Sequence, residues 1–140
     1  RPTELLEITT DNVHLDEQYM IGGMKTEAGT DRVIPIADKI LPLVKNRYDA
    51  NRRFLVNNKY GNHYTYGSYV SANFNTVMNK LNMKHLPHDG RHTFASLMDD
   101  AGANEVCIKL IMGHSMKNNV TKGVYTHKTT QQLIDEVNKI

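Results

Sequence analysis

Apolar residues in the first quarter of the chain change their period. Leu5, Leu6 and Ile8 follow Pro2 at helical spacing, and proline suits a first turn, so a short helix opens the chain. Thr9, Thr10, Asp11 and Asn12 interrupt it, because short polar side chains bond to nearby backbone instead. Between 18 and 36 the pattern reads as strands: Tyr19-Met20-Ile21, a Gly22-Gly23 break, Met24-Lys25-Thr26 and Arg32-Val33-Ile34-Pro35-Ile36. A turn over 27–31 would make a hairpin of the last two, with Lys25 near its tip.

Helical spacing then returns. Asp38 is placed to cap a helix carrying Ile40, Leu41, Val44 and Tyr48, with Pro42 in its first turn. Phe54-Leu55-Val56 reads as a short strand followed by a turn over 57–61. Ser68 is placed to cap a helix through Val70, Phe74, Val77, Met78 and Leu81. After Pro87 the spacing predicts a helix over 91–100 stopped by Gly102, then one capped by Asn104 and ended by Gly113. Polar residues over 115–123 predict a loop. Thr129 or Thr130 starts a last helix with Leu133, Ile134, Val137 and Ile140 on one side. The expected fold is α+β, mostly α-helical with a small antiparallel β-sheet, in one unit over 1–140.

Composition narrows the function classes. No apolar run approaches the roughly 20 residues of a membrane-spanning helix, and no signal-peptide pattern opens the chain. Cys107 is the single cysteine, so no internal disulfide forms and a reducing cytosol is the expected compartment; its apolar neighbours predict a small core residue. A net charge of +2 permits a polyanionic partner without requiring one, so nucleic-acid binding must be argued from where the cations sit. The chain begins at Arg1-Pro2-Thr3-Glu4 without methionine and reads as part of something longer.

Chemistry concentrates late in the chain. His88 and Arg91, three apart, project from one face of a helix or its first turn. Arg91 offers a planar fork to two phosphate oxygens, and His88 can exchange a proton near neutrality. By itself H-x-x-R is common, and a solvated helix face explains it. His114 after Gly113 is held at an element boundary; alone, it reads as a cation at a helix C-terminus. Tyr125 is one of seven tyrosines, most of which must pack, but it follows a polar stretch. With an unperturbed pKa of about 10, a tyrosine nucleophile needs nearby cations or a base. His88, His114, Arg91 and Lys25 are the candidates.

LPHDGRHTFASLMDDAG, IKLIMGHS and VYTH together resemble the tyrosine recombinase (phage integrase) family, with its H-x-x-R, then G-H or G-W, then nucleophilic tyrosine. RPTELLEI is similar to the family's first catalytic segment, which maps Arg1 and Glu4 onto it. MKTEAGTDRVIPI is similar to the hairpin that carries a catalytic lysine, which maps Lys25. The likeness spans essentially the whole chain. Two departures stand out: the stretch from His114 to Tyr125 is longer than the common family spacing, and Gly90 lies inside H-x-x-R. Gly90 would cost a helix interior about 1 kcal/mol relative to alanine unless the helix begins there.

The resemblance implies the catalytic-domain fold of an integrase from a phage or conjugative transposon, without its first helices and N-terminal DNA-binding domains. It implies a DNA strand-exchange enzyme working through a 3′-phosphotyrosyl intermediate. Tyr125 is the expected nucleophile, Arg1, Arg91 and His114 bind the nonbridging oxygens, Lys25 protonates the leaving 5′ oxygen, and His88 handles the tyrosine proton. Glu4 orients Arg1 or His88. Transesterification conserves the phosphodiester energy, so no cofactor and no metal is expected; the chain has no Walker-type loop, and Pro87 disrupts a helical zinc site from His85, His88 and His92. Arg47, Arg52, Arg53, Lys59, Lys84, Lys117 and Lys122 are candidate DNA contacts, and at least half of them are explained as solvated surface. The implied partners are double-stranded DNA and three further copies in a synaptic tetramer, the fragment itself being a monomer. The last helix is expected to dock either on a neighbour or on its own domain. The implied location is the bacterial cytoplasm, at the nucleoid. A type IB topoisomerase-like relaxing enzyme and an inactive DNA-binding module are the alternatives; the G-H-S block favours the recombinase over the first, and the complete set of reactive groups argues against the second.

Overall fold

The structure, a computed structural model, describes residues 1–24, 29–115 and 128–140. Helix α1 (Pro2–Glu7) begins the chain with proline in its first turn, as the spacing predicts. A 3₁₀ turn at Thr10–Asn12 replaces the helix where the polar run begins. Strands β1 (Val13–His14), β2 (Tyr19–Gly22) and β3 (Arg32–Pro35) form an antiparallel sheet in that order, with Met20 opposite both Val13 and Ile34. The hairpin is therefore β2–β3, longer than the one expected. Its partner to Arg32-Val33-Ile34-Pro35 is 19–22, while 25–26 lies outside the described residues. β1 was not expected, because two residues leave almost no periodic signal.

Helix α2 (Leu41–Arg47) carries Pro42 in its first turn. Asp38 does not cap it: its carboxylate accepts from Gln18 Nε2 at 2.6 Å and its backbone N–H donates to Asn138 at 2.8 Å. Residues 54–56 make no strand. Phe54 forms one isolated bridge with Thr9, the Leu55 N–H donates to the Ile8 carbonyl at 2.9 Å, and the segment is stitched onto the end of α1. Thr65, not Ser68, caps the next helix, its hydroxyl accepting from the Ser68 N–H at 3.2 Å. That helix runs as α3 (Tyr66–Tyr69), a π-turn (Val70–Phe74) and α4 (Asn75–Lys80).

Helix α5 (Asp89–Asp100) begins just where Gly90 costs little, in its first turn, and ends before Gly102, whose φ of +64° suits glycine. Asn104 caps α6 (Glu105–Met112), accepting from the N–H groups of Val106 and Cys107. Thr129 caps α7 (Thr130–Val137) in a reciprocal box with Gln132. The expected architecture, helices around a small antiparallel sheet, holds.

Two apolar clusters divide the core. One joins Ala37, Met98, Cys107, Ile111, Leu133 and Val137, so α5, α6 and α7 close on one face of β3 through Val33. The other joins Ile8, Val13, Met20, Ile36 and Leu55 under α1 and the sheet. The apolar side of α7 thus packs on its own domain. Cys107 is a buried core residue and a free thiol, pushed up in pKa by burial.

Candidate active site

The end of α6 explains how His114 is held. Gly113 adopts φ +65°, and the N–H groups of Gly113 and His114 turn back onto the carbonyls of Leu110 and Lys109. This left-handed close satisfies two of the carbonyls a helix leaves open. The other two are taken by cations from elsewhere in the fold. Arg32 Nε donates to the Ile111 carbonyl at 2.8 Å, and Arg91 Nη2 donates to the Met112 carbonyl at 2.6 Å. The helix end thereby gathers positive charge where its dipole favours it.

Arg91 stands three residues into α5 and its backbone N–H donates to the carbonyl of His88, the residue flanking the helix. The His88 ring meets that of His92 edge-on at 5.2 Å. Burial, then the charge of Arg1, lowers the pKa of Arg91, without threatening its ionisation near neutrality. Burial, then the charges of Arg91 and Arg1, holds His114 below the ordinary histidine value. A neutral His114 still donates one hydrogen bond, and a bound anion would draw its pKa back up.

Arg1 reaches the same place from α1. Its Nη1 donates to Glu4 Oε1 at 2.9 Å, while Glu4 Oε2 accepts from Arg32 Nη2 at 2.8 Å. The Glu4 side chain is only 5% exposed. Burial alone would raise its pKa, but the hydrogen bond and charge of Arg32, reinforced by Arg1, bring it down to about 2. Glu4 is therefore an ionised anchor between two arginines and holds no proton to give. A cleft of about 440 Å³ opens above it, lined by Arg1, Glu4, Met24, Tyr66 and His88. A neighbouring apolar hollow of about 360 Å³ is bordered by Arg1, Arg32 and Arg91.

The fold thus brings together Arg1, Glu4, His88, Arg91 and His114 from α1, α5 and the end of α6. Lys25 and Tyr125 lie outside the described residues, as do Lys117 and Lys122. None of the described basic candidates lines the cleft at Arg1 and His88. Arg47 donates to the Asn57 carbonyl, Arg52 to the Asn57 side chain and to Asp49, and Arg53 lies 5.3 Å from the Phe54 ring centre. Lys59 sits over Tyr60, and both line a cleft of about 830 Å³ with Arg47, Arg52 and Tyr64. Lys84 lies on the connection between α4 and α5. His63, which the sequence places among tyrosines, instead bonds to the Leu6 carbonyl and Glu7, both at 3.2 Å.

Arg32 is the site residue that sequence reasoning missed. Its signal was parity: strand alternation puts it on the face shared with Ile34 and fully buried Ile36, where a charge needs a buried partner.

Comparison with known proteins bears on family and fold. Residues 1–132 match the phage integrase family. The chain is 25% identical to a tyrosine recombinase of Thermosipho africanus, over 100% of this chain and 49% of that protein. It is 30% identical to the tyrosine recombinase XerA of Pyrococcus horikoshii, over 99% of this chain and 50% of that protein. The transposase from transposon Tn916 of Enterococcus faecalis is 27% identical, covering 87% of this chain and 34% of the transposase. Among solved structures, the integrase from mycobacterium phage Brujita superposes with a TM-score of 0.72 at 18% identity, over 99% of this chain and 46% of that one. A helical domain with a small antiparallel sheet is the fold this chain shares with that integrase. The chain belongs to the phage integrase family. It spans about half the length of the recombinases it matches.

Proposed function

We propose that this chain is the catalytic domain of a site-specific DNA recombinase of a mobile element. It cuts and rejoins double-stranded DNA by transesterification. Tyr125 Oη attacks the scissile phosphorus, the P–O bond to the 5′ oxygen breaks, and a 3′-phosphotyrosyl link forms. His88 takes the phenolic proton and Lys25 gives one to the departing 5′ oxygen. Arg1, Arg91 and His114 bind the nonbridging oxygens as charge accumulates on them.

The observation that carries this reading is the proximity of Arg1, Arg91 and His114, close enough for the two arginine charges to hold His114 below its ordinary pKa, with Glu4 consumed as an anchor. Two arginines and a neutral histidine form a receptor for a phosphodiester. The full-length protein is read as a tetramer around two duplexes, preceded by further DNA-gripping domains and working in the cytoplasm at the nucleoid. Because α7 already buries Leu133, Ile134 and Val137 in its own domain, docking on a neighbour would use another surface or an exchange of the helix. Arg47, Arg52, Arg53, Lys59, Lys84, Lys117 and Lys122 remain the proposed backbone contacts.

Incubating full-length protein with a nicked or phosphorothiolate suicide duplex tests the reading. A covalent protein–DNA adduct is expected, and it should vanish in Tyr125→Phe. An adduct that persists in that variant refutes the assignment of the nucleophile.

A further inference from the structure

We infer that Arg32 is a positioning residue of the strand-transfer site, holding three separate segments of the chain in one frame. The inference rests on the recombinase reading and adds to it a residue that contacts no DNA.

The geometry is specific. The guanidinium spends donors in three directions: Nη2 to Glu4 on α1, Nε to the Ile111 carbonyl at the end of α6, and Nη1 to the Gly29 carbonyl on the β2–β3 connection at 2.9 Å. Only 10% of the side chain is exposed. Each target leads to a group of the site or closes the hairpin. Glu4 passes its other oxygen to Arg1, and Ile111 precedes Met112, Gly113 and His114. A lysine could carry the charge, but a single ammonium cannot present that planar fork.

The chain is shaped to fit this one side chain. A Cβ on Gly113 would lie 3.2 Å from Arg32 Cδ and Nε and 2.9 Å from Gly29 Cα. A Cβ on Gly23 would lie 2.4 Å from Arg32 Nη1 and 1.6 Å from the Gly29 oxygen. Glycines at 23 and 113, both with positive φ, let the backbone close on the guanidinium from two sides. A surface arginine needs no such clasp.

Arg32 also sets charge in the site. The groups facing Glu4 are the guanidinium and the backbone amine of Arg1 at the start of α1, Arg32 on β3 and Arg91 on α5. Without Arg32 the buried carboxylate keeps desolvation and loses its strongest partner. It then takes up a proton at higher pH and releases Arg1.

The test compares full-length Arg32→Ala and Arg32→Lys with the unmodified protein, using the suicide duplex and following the rate of adduct formation against pH. Arg32→Ala is expected to slow the adduct by about 100-fold, the scale of a small misplacement of reacting groups. Millimolar guanidinium should restore part of that rate, and methylammonium should not. An acidic limb should enter the pH–rate profile and disappear in Glu4→Gln/Arg32→Ala. Arg32→Lys keeps charge and fold but should stay slow, which reads the effect even where the alanine variant does not fold. An unchanged rate in Arg32→Lys, or a loss that guanidinium leaves untouched in a folded Arg32→Ala, overturns the inference. Absence of any adduct from the unmodified protein overturns the recombinase reading instead, and this inference with it.

Discussion

Glu4 divides its two oxygens between Arg1 and Arg32, and that division makes it a stability switch in acid. Its carboxyl falls from 4.5 to about 2 on folding. A lowered carboxylate contributes stability that is complete above its unfolded pKa and is lost as pH falls through the folded one. The contribution should therefore be present above about pH 4.5 and decline toward about pH 2, amounting to on the order of 2–3 kcal/mol. In Glu4→Gln this part of the pH dependence should be absent, so urea unfolding of the two proteins should converge as pH is lowered. The family resemblance implies that Glu4 orients Arg1 or His88, and the bond formed is to Arg1. Arg32 escaped notice because the two partners that tie it to the site lie 28 and 79 positions away, and no local pattern announces them. For the same reason Asp38 was misread as a cap: a free Asx cap and an aspartate engaged by Gln18 look alike in one dimension.

Helix α6 was the most legible element, because every signal sits inside it: Asn104 at the start, apolar residues at helical spacing, and Gly113 at the end. The segment around 66–80 was legible as helix but not in detail. Thr65 and Ser68 are equally good caps by type, and only the observed bond decides between them. The two left-handed glycines that end α5 and α6 provide a matched experiment. Gly102 and Gly113 share nearly the same φ, yet a Cβ on Gly102 meets nothing within 4 Å while one on Gly113 meets backbone at 2.9 Å. Gly102→Ala should cost roughly 1 kcal/mol, the conformational penalty alone. Gly113→Ala should cost roughly 2–3 kcal/mol, because Gly29 or Arg32 must also move. Urea denaturation measures both, and equal costs would refute the packing argument.

Across the whole molecule, Ile8, Met20, Ile36, Leu133 and Val137 of the two apolar clusters are apolar positions of predicted elements, but the division of the core into two was not expected. What periodicity could not supply was which ends meet. The proposed DNA contacts belong to this scale. Arg47 and Arg52 already serve Asn57, which leaves fewer cations free for phosphates than the sequence suggests. With about four effective phosphate contacts, duplex binding by residues 1–140 should weaken on the order of 100-fold between about 50 and 200 mM salt. Fluorescence anisotropy at several salt concentrations gives the slope, and a flat dependence would contradict a backbone-tracking surface. The bond from Arg32 to Ile111 has one more consequence, in the order of folding events. It closes a loop of 79 positions, so loop-closure entropy is spent before this long-range contact can offset it. Helices α5 and α6 can form from neighbours in sequence, whereas the frame that joins Arg1 to His114 waits for strand β3 to meet the far end of the chain. The cleft is thus expected to form late in folding, after the helices that border it.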